Sequence, residues 1–382
     1  MCMLRRCAGF GAVSLVIMLA GLAAPAHCAD TDASPRRADG ATHQTAGVDP
    51  SRPGRWAAAR RTVGRLTNKQ LGLVINTSDP YSLEVGEFYA VTRALSPDQI
   101  LRVALPVKPS LTPEEFTHLD TQIRKYFGRG TQALALAWTL PYAVSCNSIT
   151  AAVTLGFDGT LCAHTCSASS LSPYFNSATT RPFSDLHIRP SMMLAAHTSD
   201  EAKAMISRGR SSDATLGLRG ALPVQADFVI TPDPARNVRA ALYPPTGKIT
   251  RAGIEVNVLS GTPLSHLDRV MLYQTGATRV ENTNNIGWVP GALADHLTSS
   301  GGQLNGSGDQ MSILQWIASG ATASYGTVSE PCNHVQKFPH PQLLLQYYAQ
   351  GATAIEAYWR SVAWPQQGVF VGEPLAAPFS RR

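Results

Sequence analysis

The amino-acid sequence predicts an α/β fold with an open, mostly parallel sheet and helices on both of its faces. Short apolar runs alternate with segments whose apolar residues repeat at helical spacing, first between residues 71 and 138 and again between residues 192 and 328. Several helical segments begin with a residue that caps helices. Such alternation is typical of a parallel sheet, because each connection between parallel strands has to cross a face of the sheet.

The first stretch of alternation starts at Leu71–Asn76, an apolar run that ends in the turn Thr77–Pro80. A helix is predicted next from the spacing of Tyr81, Val85, Phe88, Tyr89, Thr92 and Leu95. Ile100–Leu105 and Ala133–Trp138 are the following predicted strands. Between them, Thr112–Glu115 forms a capping box with proline at the first helical position, which predicts another helix.

The second stretch of alternation contains five predicted strands. They are Met192–Ala196, Ala226–Ile230, Ile254–Val258, Arg269–Tyr273 and Ala321–Val328. Thr198 is expected to cap a helix that stops near Gly209. Asp309 is expected to cap a second helix, which runs through Trp316 and ends at Gly320.

The body of the chain is predicted to form two halves, an N-terminal α/β half at residues 70–250 and a C-terminal half at residues 251–380. Residues 143–190 interrupt the alternation, since they are rich in Ser, Thr and Cys and lack a clear period. We interpret them as a cysteine-containing insertion within the first half.

Residues 1–28 have the pattern of a secretory signal peptide. Arg5 and Arg6 give a positive start, residues 12–24 are apolar, and residues 24–26 offer small side chains for cleavage. The apolar run is shorter than a membrane span requires. We therefore expect an exported protein, periplasmic or extracellular, with no transmembrane segment in the mature chain.

Residues 29–69 are rich in Arg, Ala, Gly, Asp and Pro without hydrophobic periodicity, which predicts a disordered basic linker. The whole chain has 32 Lys and Arg and 26 Asp and Glu; ten of the basic and four of the acidic residues precede residue 70. The body therefore holds 22 of each and is formally neutral. Such a body offers no basic surface for nucleic acid, so no nucleic-acid partner is expected.

Four cysteines remain in the body: Cys146, Cys162, Cys166 and Cys332. An even number in an exported chain favours disulfides, and three pairings are open. Proximity favours Cys146 with either Cys162 or Cys166. A metal site at Cys162–Cys166 is the weaker alternative, because a second pair of ligands is missing. No metal and no cofactor are expected.

One candidate site lies at His296 and Ser299. A serine nucleophile needs a base within hydrogen-bond reach and backbone N–H donors for the oxyanion, which the stretch from Ser300 through Gly301 and Gly302 can supply. The structural alternative is that Asp295 and His296 end a helix and the following residues are only a turn.

A second candidate site is Glu330, Cys332 and His334, where a thiolate beside an imidazole would be a nucleophilic pair. A disulfide or inert packing is the alternative for Cys332. Binding of a metal or a sugar by Glu330, His334 and His296 is a further alternative, which the spacing does not support.

Ligand-binding candidates come from the rule that open parallel sheets bind ligands at the carboxyl ends of their strands. Asn76, Ser78 and Asp79 follow the first predicted strand, and helix capping is the equal alternative for them. Glu356 completes a capping box with Thr353 and is interpreted as structural.

Two family resemblances add to these predictions. Residues 74–86 and 290–379 are similar to the opening and closing signatures of an uncharacterised family of exported proteins from bacteria that carry exosortase. That resemblance covers residues 70–380 and implies no activity.

The order of segments at residues 251–379 resembles gingipain-type cysteine peptidases, which have a caspase-like α/β fold. The segments Gly320–Gly326 and Gly372–Pro374 match that pattern. Ala277 stands where the catalytic histidine is expected, after Thr275 and Gly276, and the next segment has no cysteine. The resemblance thus implies a caspase-like or flavodoxin-like C-terminal half without the usual dyad, with Thr275, Gly276, Gly301 and Gly302 at the expected cleft.

Two functions from different classes remain open. The first is a non-catalytic caspase-like relative that binds peptide or polysaccharide in envelope or exopolysaccharide export. The second is an exported, peptidase-like hydrolase with Ser299 or Cys332 as nucleophile. They differ in whether a nucleophile lies within hydrogen-bond reach of a base.

Overall fold

Strands and helices alternate along residues 56–261, 266–306 and 308–381, which the computed structural model describes. The strands are β1 Leu71–Asn76, β2 Ile100–Val103, β3 Ser110–Leu111, β4 Ala133–Leu136, β5 Ala143–Val144, β6 Asn147–Ser148, β7 Ser191–Met193, β8 Val224–Ile230, β9 Gly247–Ile249, β10 Ile254–Ser260, β11 Leu267–Gly276, β12 Ile286–Leu297, β13 Ala323–Thr327 and β14 Gly368–Gly372. The helices are α1 Pro80–Thr92, α2 Pro113–Tyr126, α3 Ile149–Leu155, α4 Thr160–Ala163, α5 Pro182–Leu186, α6 Ser199–Ser212, α7 Leu314–Ser319, α8 Pro341–Ala349 and α9 Ala354–Ser361.

Eleven strands of this described part form one sheet in the order β2-β1-β4-β7-β14-β13-β12-β11-β8-β10-β9. The strands β2, β1, β4 and β7 run parallel to their neighbours in that series, and so do β13, β12, β11, β8 and β10. Two pairs are antiparallel, β13 with β14 and β9 with β10. The predicted α/β fold with a mostly parallel sheet is confirmed.

Both faces of the sheet are covered, as two successive residues of β12 demonstrate. Asp295 bonds to Arg239, which lies in the 3₁₀ segment Asn237–Leu242. His296 bonds instead to Trp316 of α7. Because successive side chains of a strand point to opposite faces, α7 and the 3₁₀ segment lie on opposite sides of the sheet.

Three of the predicted helix caps, Thr112, Thr198 and Thr353, are present where the sequence placed them. The Thr112 N–H donates to Glu115 Oε2 at 2.7 Å and the Glu115 N–H donates to Thr112 Oγ1 at 3.2 Å, which completes the capping box of α2. Thr353 forms the same capping box at α9, and Thr198 caps α6 by accepting from the Glu201 N–H alone. These bonds satisfy N–H groups that have no partner within the helix.

Two details of the predicted secondary structure are wrong. The helix that contains Trp316 begins at Leu314, so Asp309 lies in a turn and caps nothing. The alternative that Asp295 and His296 end a helix fails as well, because both residues lie in β12. A strand that ends in polar residues lacks the continuous apolar run that predicts the other strands.

The prediction of a disordered linker needs correction. Residues 56–69 of the linker are held against α8 and α9 by hydrogen bonds, so the disordered-linker prediction is wrong for them. The signal peptide and the rest of the linker lie outside the described residues.

The boundary between two halves at residue 250 stays a prediction. The strands β8 and β9 precede residue 250, yet they pair with strands that follow it.

Residues 143–190 contain the short strands β5 and β6 and three short helices rather than an irregular loop. A disulfide joins Cys146 to Cys162 within this segment, and another joins Cys166 to Cys332. The expectation of disulfides is confirmed, and the pairing left open by the sequence is decided. No helix in the described ranges has the length and apolar character needed to cross a membrane.

Candidate functional site

The carboxyl ends of β11 and β12 rest on a buried polar network. Arg239 Nη1 lies 2.5 Å from Asp295 Oδ1, and Arg239 Nη2 donates to the carbonyl of Thr275 at 2.9 Å. Gln274 donates to the other Asp295 oxygen at 2.8 Å. The side chains of Arg239 and Asp295 are both 1 % exposed. Because water does not reach these charges, each is stabilised by the other. This network fixes the ends of both strands.

His296 lies on the opposite face and has a bonded partner at each ring nitrogen. The indole Nε1–H of Trp316 donates to Nδ1 at 2.9 Å, so Nδ1 is unprotonated. Nε2 lies 3.1 Å from the carbonyl of Met311 and donates to it. Burial lowers the pKa of His296 to about 3. The ring is therefore a neutral structural link and not a base for Ser299.

The loop after β12 uses its backbone donors internally. The N–H of Ser300 donates to Gln310 Oε1 at 2.7 Å, and the N–H of Gly302 donates to the carbonyl of Thr327 at 2.9 Å. In the described part of the chain, the hydroxyl of Ser299 makes no hydrogen bond to a histidine or a carboxylate. The N–H groups of Ser300 and Gly302 are therefore already used within the loop, and the predicted Ser299–His296 pair is not formed.

Gly301 and Gly302 have a packing role in this loop. A Cβ atom on Gly301 would lie 3.4 Å from His296 Cε1, and one on Gly302 would lie 2.6 Å from the carbonyl oxygen of Gly326. The loop therefore approaches β13 more closely than a side chain would allow. Gly302 therefore makes a close backbone contact with β13, and ligand binding by Gly301 and Gly302 stays a prediction.

The position expected for the gingipain-type histidine is Ala277, which lines a small cleft of about 220 Å³ at the ends of β8 and β11. Thr275 lines the same cleft, but its hydroxyl donates to the carbonyl of Val229 at 3.1 Å. Gly276 is pressed against the backbone of Arg236, which leaves no room for a Cβ atom. Thr275 and Gly276 thus have structural contacts, and ligand binding by them stays a prediction.

A charged pair stands beside this small cleft. Arg236 Nη1 lies 2.8 Å from Asp233 Oδ2, and Arg236 Nε donates to Thr298 Oγ1 at 3.3 Å. Burial acts to raise the pKa of Asp233, but the Arg236 guanidinium and two backbone N–H groups outweigh it and hold the pKa below its ordinary value. The pair links the ends of β8 and β12.

The second candidate nucleophile is blocked by a covalent bond. Cys332 is joined to Cys166, so its sulfur is not available as a thiolate and the prediction of a Cys332 nucleophile is wrong. Glu330 Oε1 accepts from the N–H of Cys332 at 2.7 Å. His334 Nε2 donates to the carbonyl of Cys166 at 2.8 Å. All three residues hold the disulfide loop in place, and none forms a site with His296.

Lys337 is a buried cation near this disulfide that the sequence did not suggest. Its Nζ donates to the carbonyl of Thr165 at 2.6 Å, and burial lowers its pKa to about 8. Across the described residues, no group of three or more His, Cys, Asp or Glu side chains is arranged to hold a metal ion.

The larger cleft, of about 460 Å³, lies at the carboxyl ends of β1, β4 and β7 and against the loop that follows β12. Its walls combine carboxylate, hydroxyl, imidazole and amide groups with apolar side chains. They are Asp79, Tyr81, Val107, Thr139, Leu140, Ala196, His197, Leu304, Asn305, Gly306, Ser312 and Leu314. This is the position that the strand-end rule predicts for a ligand in an open sheet.

Asp79 is the one predicted ligand-binding residue that lines this cleft. Its Oδ1 also caps α1 by accepting from the Tyr81 N–H at 3.0 Å, and burial raises its pKa. Asn76 is instead buried, and its amide bonds both ways with Leu105 at 2.9 and 3.1 Å. Ser78 is exposed and its N–H donates to Asn76 Oδ1 at 3.1 Å. Asn76 therefore has a loop-fixing role instead of the predicted ligand-binding role, whereas ligand binding by Ser78 stays a prediction.

Two residues that line the larger cleft, Tyr81 and Thr139, are not among the site residues predicted from the sequence. The Tyr81 hydroxyl donates to the carbonyl of Leu194 and accepts from the Ala196 N–H, both at 2.9 Å, which ties α1 to the end of β7. Thr139 donates to the carbonyl of Ala196 at 3.0 Å. The strand-end rule would have found Thr139, since it follows β4, but Tyr81 was assigned to the apolar face of a helix.

Comparisons with known proteins give a fold neighbour and no family. No protein-family model matches the chain, and no match was found among functionally characterised proteins. Among solved structures, one described as the crystal structure of the Arg-specific cysteine proteinase gingipain R is similar with a TM-score of 0.38 and 10 % identity. That alignment covers 83 % of this chain and 80 % of gingipain R. At this level of similarity it carries no conclusion about activity.

Proposed function

We propose that this chain is an exported, non-catalytic binding protein that holds a peptide or polysaccharide in the larger cleft, in the context of envelope or exopolysaccharide export. The observation that carries the proposal is the position and chemistry of that cleft. It opens where strands β1, β4 and β7 end, and its walls alternate apolar and hydrogen-bonding groups.

The polar groups of the cleft suit a neutral ligand rich in hydroxyl or amide groups. Asp79 offers a carboxylate oxygen beside the apolar wall of Leu140. At the rim, Asn305 Oδ1 accepts from the hydroxyl of Tyr142 at 2.8 Å, which fixes the orientation of its amide. A few placed polar groups on an apolar wall are typical of sites that fix the orientation of a ligand.

The alternative function, a hydrolase with Ser299 or Cys332 as nucleophile, has less support. The Cys332 sulfur is in a disulfide, and both ring nitrogens of His296 have partners. A nucleophile without a base in reach gives little catalysis at neutral pH. The caspase-like resemblance therefore supports a shared scaffold in this proposal, not a shared reaction.

The proposal is tested by binding and labelling on the full chain. Affinity electrophoresis through gels that contain neutral or acidic polysaccharides, and capture from a random dodecapeptide library, distinguish the two ligand classes. Asp79→Asn keeps the helix cap and removes the charge. We expect this variant to bind more weakly to whichever ligand, peptide or polysaccharide, the wild type retains. Ser299→Ala is the matched control and should leave binding unchanged.

Activity-based labelling separates binding from hydrolysis. We expect fluorophosphonate and iodoacetamide probes to label the wild type, Ser299→Ala and a double variant that combines Cys166→Ala with Cys332→Ala equally, since the double variant leaves no unpaired thiol from this disulfide. Loss of labelling in either variant, together with turnover of the bound ligand, would replace the proposal with the hydrolase. Absence of retention by all polysaccharides and peptides would remove the binding function at this cleft.

A further inference from the structure

The segment of residues 56–66, which we call the strap, lies against the body without belonging to a helix or strand. It is held by side chains of a surface that we call the α8 groove. The residues of this groove are Asn176, Gln342, Gln346, Tyr347, Gln350 and Glu356. The α8 groove is separate from the larger cleft.

Three glutamines of the groove form a ladder along α8 and its end. Gln342, Gln346 and Gln350 are spaced by four residues, so they lie on one face of the helix. Gln342 Oε1 accepts from the N–H of Ala57 at 2.5 Å, and Gln346 Nε2 donates to the carbonyl of the same residue at 2.9 Å. Gln350 Oε1 accepts from the N–H of Thr62 at 3.1 Å.

The remaining groove residues contact the main chain of the strap between and beyond these points. Tyr347 accepts from the N–H of Arg60 at 3.2 Å, and Asn176 Nδ2 donates to the carbonyl of Ala58 at 3.2 Å. Glu356 Oε2 accepts from the N–H of Leu66 at 3.1 Å. The groove thus pairs with backbone donors and acceptors much as a neighbouring strand would.

The groove is fixed by partners other than the strap. Gln342 Nε2 donates to the carbonyls of Leu242 and Tyr243 at 3.1 and 3.3 Å. The Tyr347 hydroxyl donates to Asn176 Oδ1 at 2.6 Å. Glu356 is buried and is held by Arg360 at 3.0 Å. Because these side chains are already oriented, a peptide that binds loses little energy to rearrangement of the groove.

The strap also contributes side-chain contacts, chiefly at its two ends. Val63 is exposed, with 83 % of its surface accessible. Leu66 is buried in the core, and Trp56, Ala57 and Ala59 pack against that core. The groove therefore selects small residues at two positions and apolar residues at the ends of the segment, and it accepts varied residues between them.

We propose that the α8 groove is a binding site for peptide segments and that the strap is its resident, displaceable occupant. The ligand class is a peptide segment with small side chains at two inward positions and apolar side chains at its ends, bound largely through its main chain. Since the strap is tethered to the body, its effective local concentration is high, and a peptide supplied in trans competes poorly until the strap is loosened.

The test loosens the strap without touching the groove. Ala57→Pro combined with Thr62→Pro removes the two N–H groups that bond to Gln342 and Gln350. The probe is a fluorescein-labelled peptide with the sequence of residues 56–67, and binding to the full chain is measured by fluorescence anisotropy. We expect the double proline variant to bind this peptide at least about tenfold more tightly than the wild type.

Two controls keep the outcome decisive. Val63→Pro changes an exposed residue whose N–H contacts no residue of the groove, and it should bind the probe as weakly as the wild type. Adding Gln346→Ala and Gln350→Ala to the double proline variant should abolish the gain. Faster trypsin cleavage between Arg60 and Arg61 reports release of the strap, and circular dichroism confirms that each variant is folded.

Each result bears on the proposal. A released strap with no gain in probe binding overturns it, and so does a strap that stays protected from trypsin when both N–H donors are gone. Equal binding by the groove variants would place the peptide elsewhere. Because Asp79 is not involved, loss of ligand binding at the larger cleft leaves this test unaffected.

Discussion

The indole Nε1–H of Trp316 lies 2.9 Å from His296 Nδ1 and donates a hydrogen bond to it, which fixes the histidine as the tautomer with its proton on Nε2. That proton is given to the carbonyl of Met311. A histidine with this pair of partners cannot become charged without breaking the bond from Trp316, and it cannot accept a proton from a serine. One tertiary contact thereby changes the interpretation of the motif around Ser299.

The first prediction concerns the pH dependence that this histidine confers. Burial lowers the folded pKa of His296 to about 3, below the unfolded value of about 6.5. Its contribution to stability is therefore fully present above pH 6.5 and is lost progressively as the pH falls toward 3, by up to about 1.4 kcal/mol per pH unit. Urea unfolding at several pH values should show this slope in the wild type and a smaller slope in His296→Gln.

A spectroscopic measurement checks the same prediction in the folded state. The ring nitrogens of His296 should keep the chemical shifts of the neutral Nε2–H tautomer between pH 7 and pH 5. Titration of these signals within that range would contradict the assignment of a structural role.

The second prediction concerns Asp227, which lies in β8 on the same face as Tyr273. Its Oδ1 accepts from Asn257 at 2.9 Å, but its Oδ2 is buried and has no hydrogen-bond partner among the described residues. Burial raises its pKa to about 6, so the stability associated with its neutral form is present below about pH 3.8 and is lost as the pH rises through 6.

Asp227→Asn should therefore stabilise the protein at pH 8, by on the order of 2 kcal/mol, and have a much smaller effect at pH 4. Thermal or urea unfolding at the two pH values measures the difference. Asp98→Asn, at an exposed position, is the matched control. A gain that is the same at both pH values would show that packing, not charge, is responsible.

The third prediction compares the two disulfides. Cys146–Cys162 spans 16 residues, whereas Cys166–Cys332 spans 166. In the chain-entropy description, the longer loop restricts the unfolded chain more, by about 2 kcal/mol. Replacing both cysteines of the long pair by serine should lower the free energy of unfolding more than the same change in the short pair. An equal loss in both double variants would indicate that the denatured chain is already compact.

The fourth prediction concerns the buried ion pair at the end of β14. Glu373 is fully buried and bonds to Arg93, while the Tyr89 hydroxyl donates to its Oε1 at 2.8 Å. Glu373→Gln leaves the Arg93 guanidinium with only Asp213 as a charged partner. We expect a loss of about 3 kcal/mol in unfolding free energy, because a buried charge loses half of its compensation.

The exposed pair of Glu87 and Arg102 offers the control for this measurement, since both side chains are about half exposed. Glu87→Gln should change the free energy of unfolding by less than about 1 kcal/mol. Comparable losses in the two variants would mean that Glu373 contributes through packing of its side chain rather than through its charge.

Most of the architecture was predictable because it is written in short-range patterns. Apolar runs marked β1, β4 and β8, and the capping residues Thr112 and Thr198 marked helix starts. The strand β12 was missed because its last residues, Asp295 and His296, are polar and satisfied only by partners far along the chain. Polar residues that are buried through tertiary bonds look like surface residues in a sequence.

The candidate site was less predictable for the same reason. Asp79 was found because it directly follows an apolar strand, and the strand-end rule needs only local information. Tyr81 was not found, since its hydroxyl becomes part of the cleft only through Leu194 and Ala196, more than a hundred residues away.

The sequence by itself determined the α/β class, the order of most strands and helices, the helix caps and the expectation of disulfides, because periodicity, capping and cysteine count act over a few residues or over composition alone. Only the tertiary structure decided that Cys332 pairs with Cys166, that His296 is neutral and bonded twice, and that the strap lies against α8. Those outcomes depend on which groups meet across the fold, and the energy of a buried polar group is set by the partner it meets.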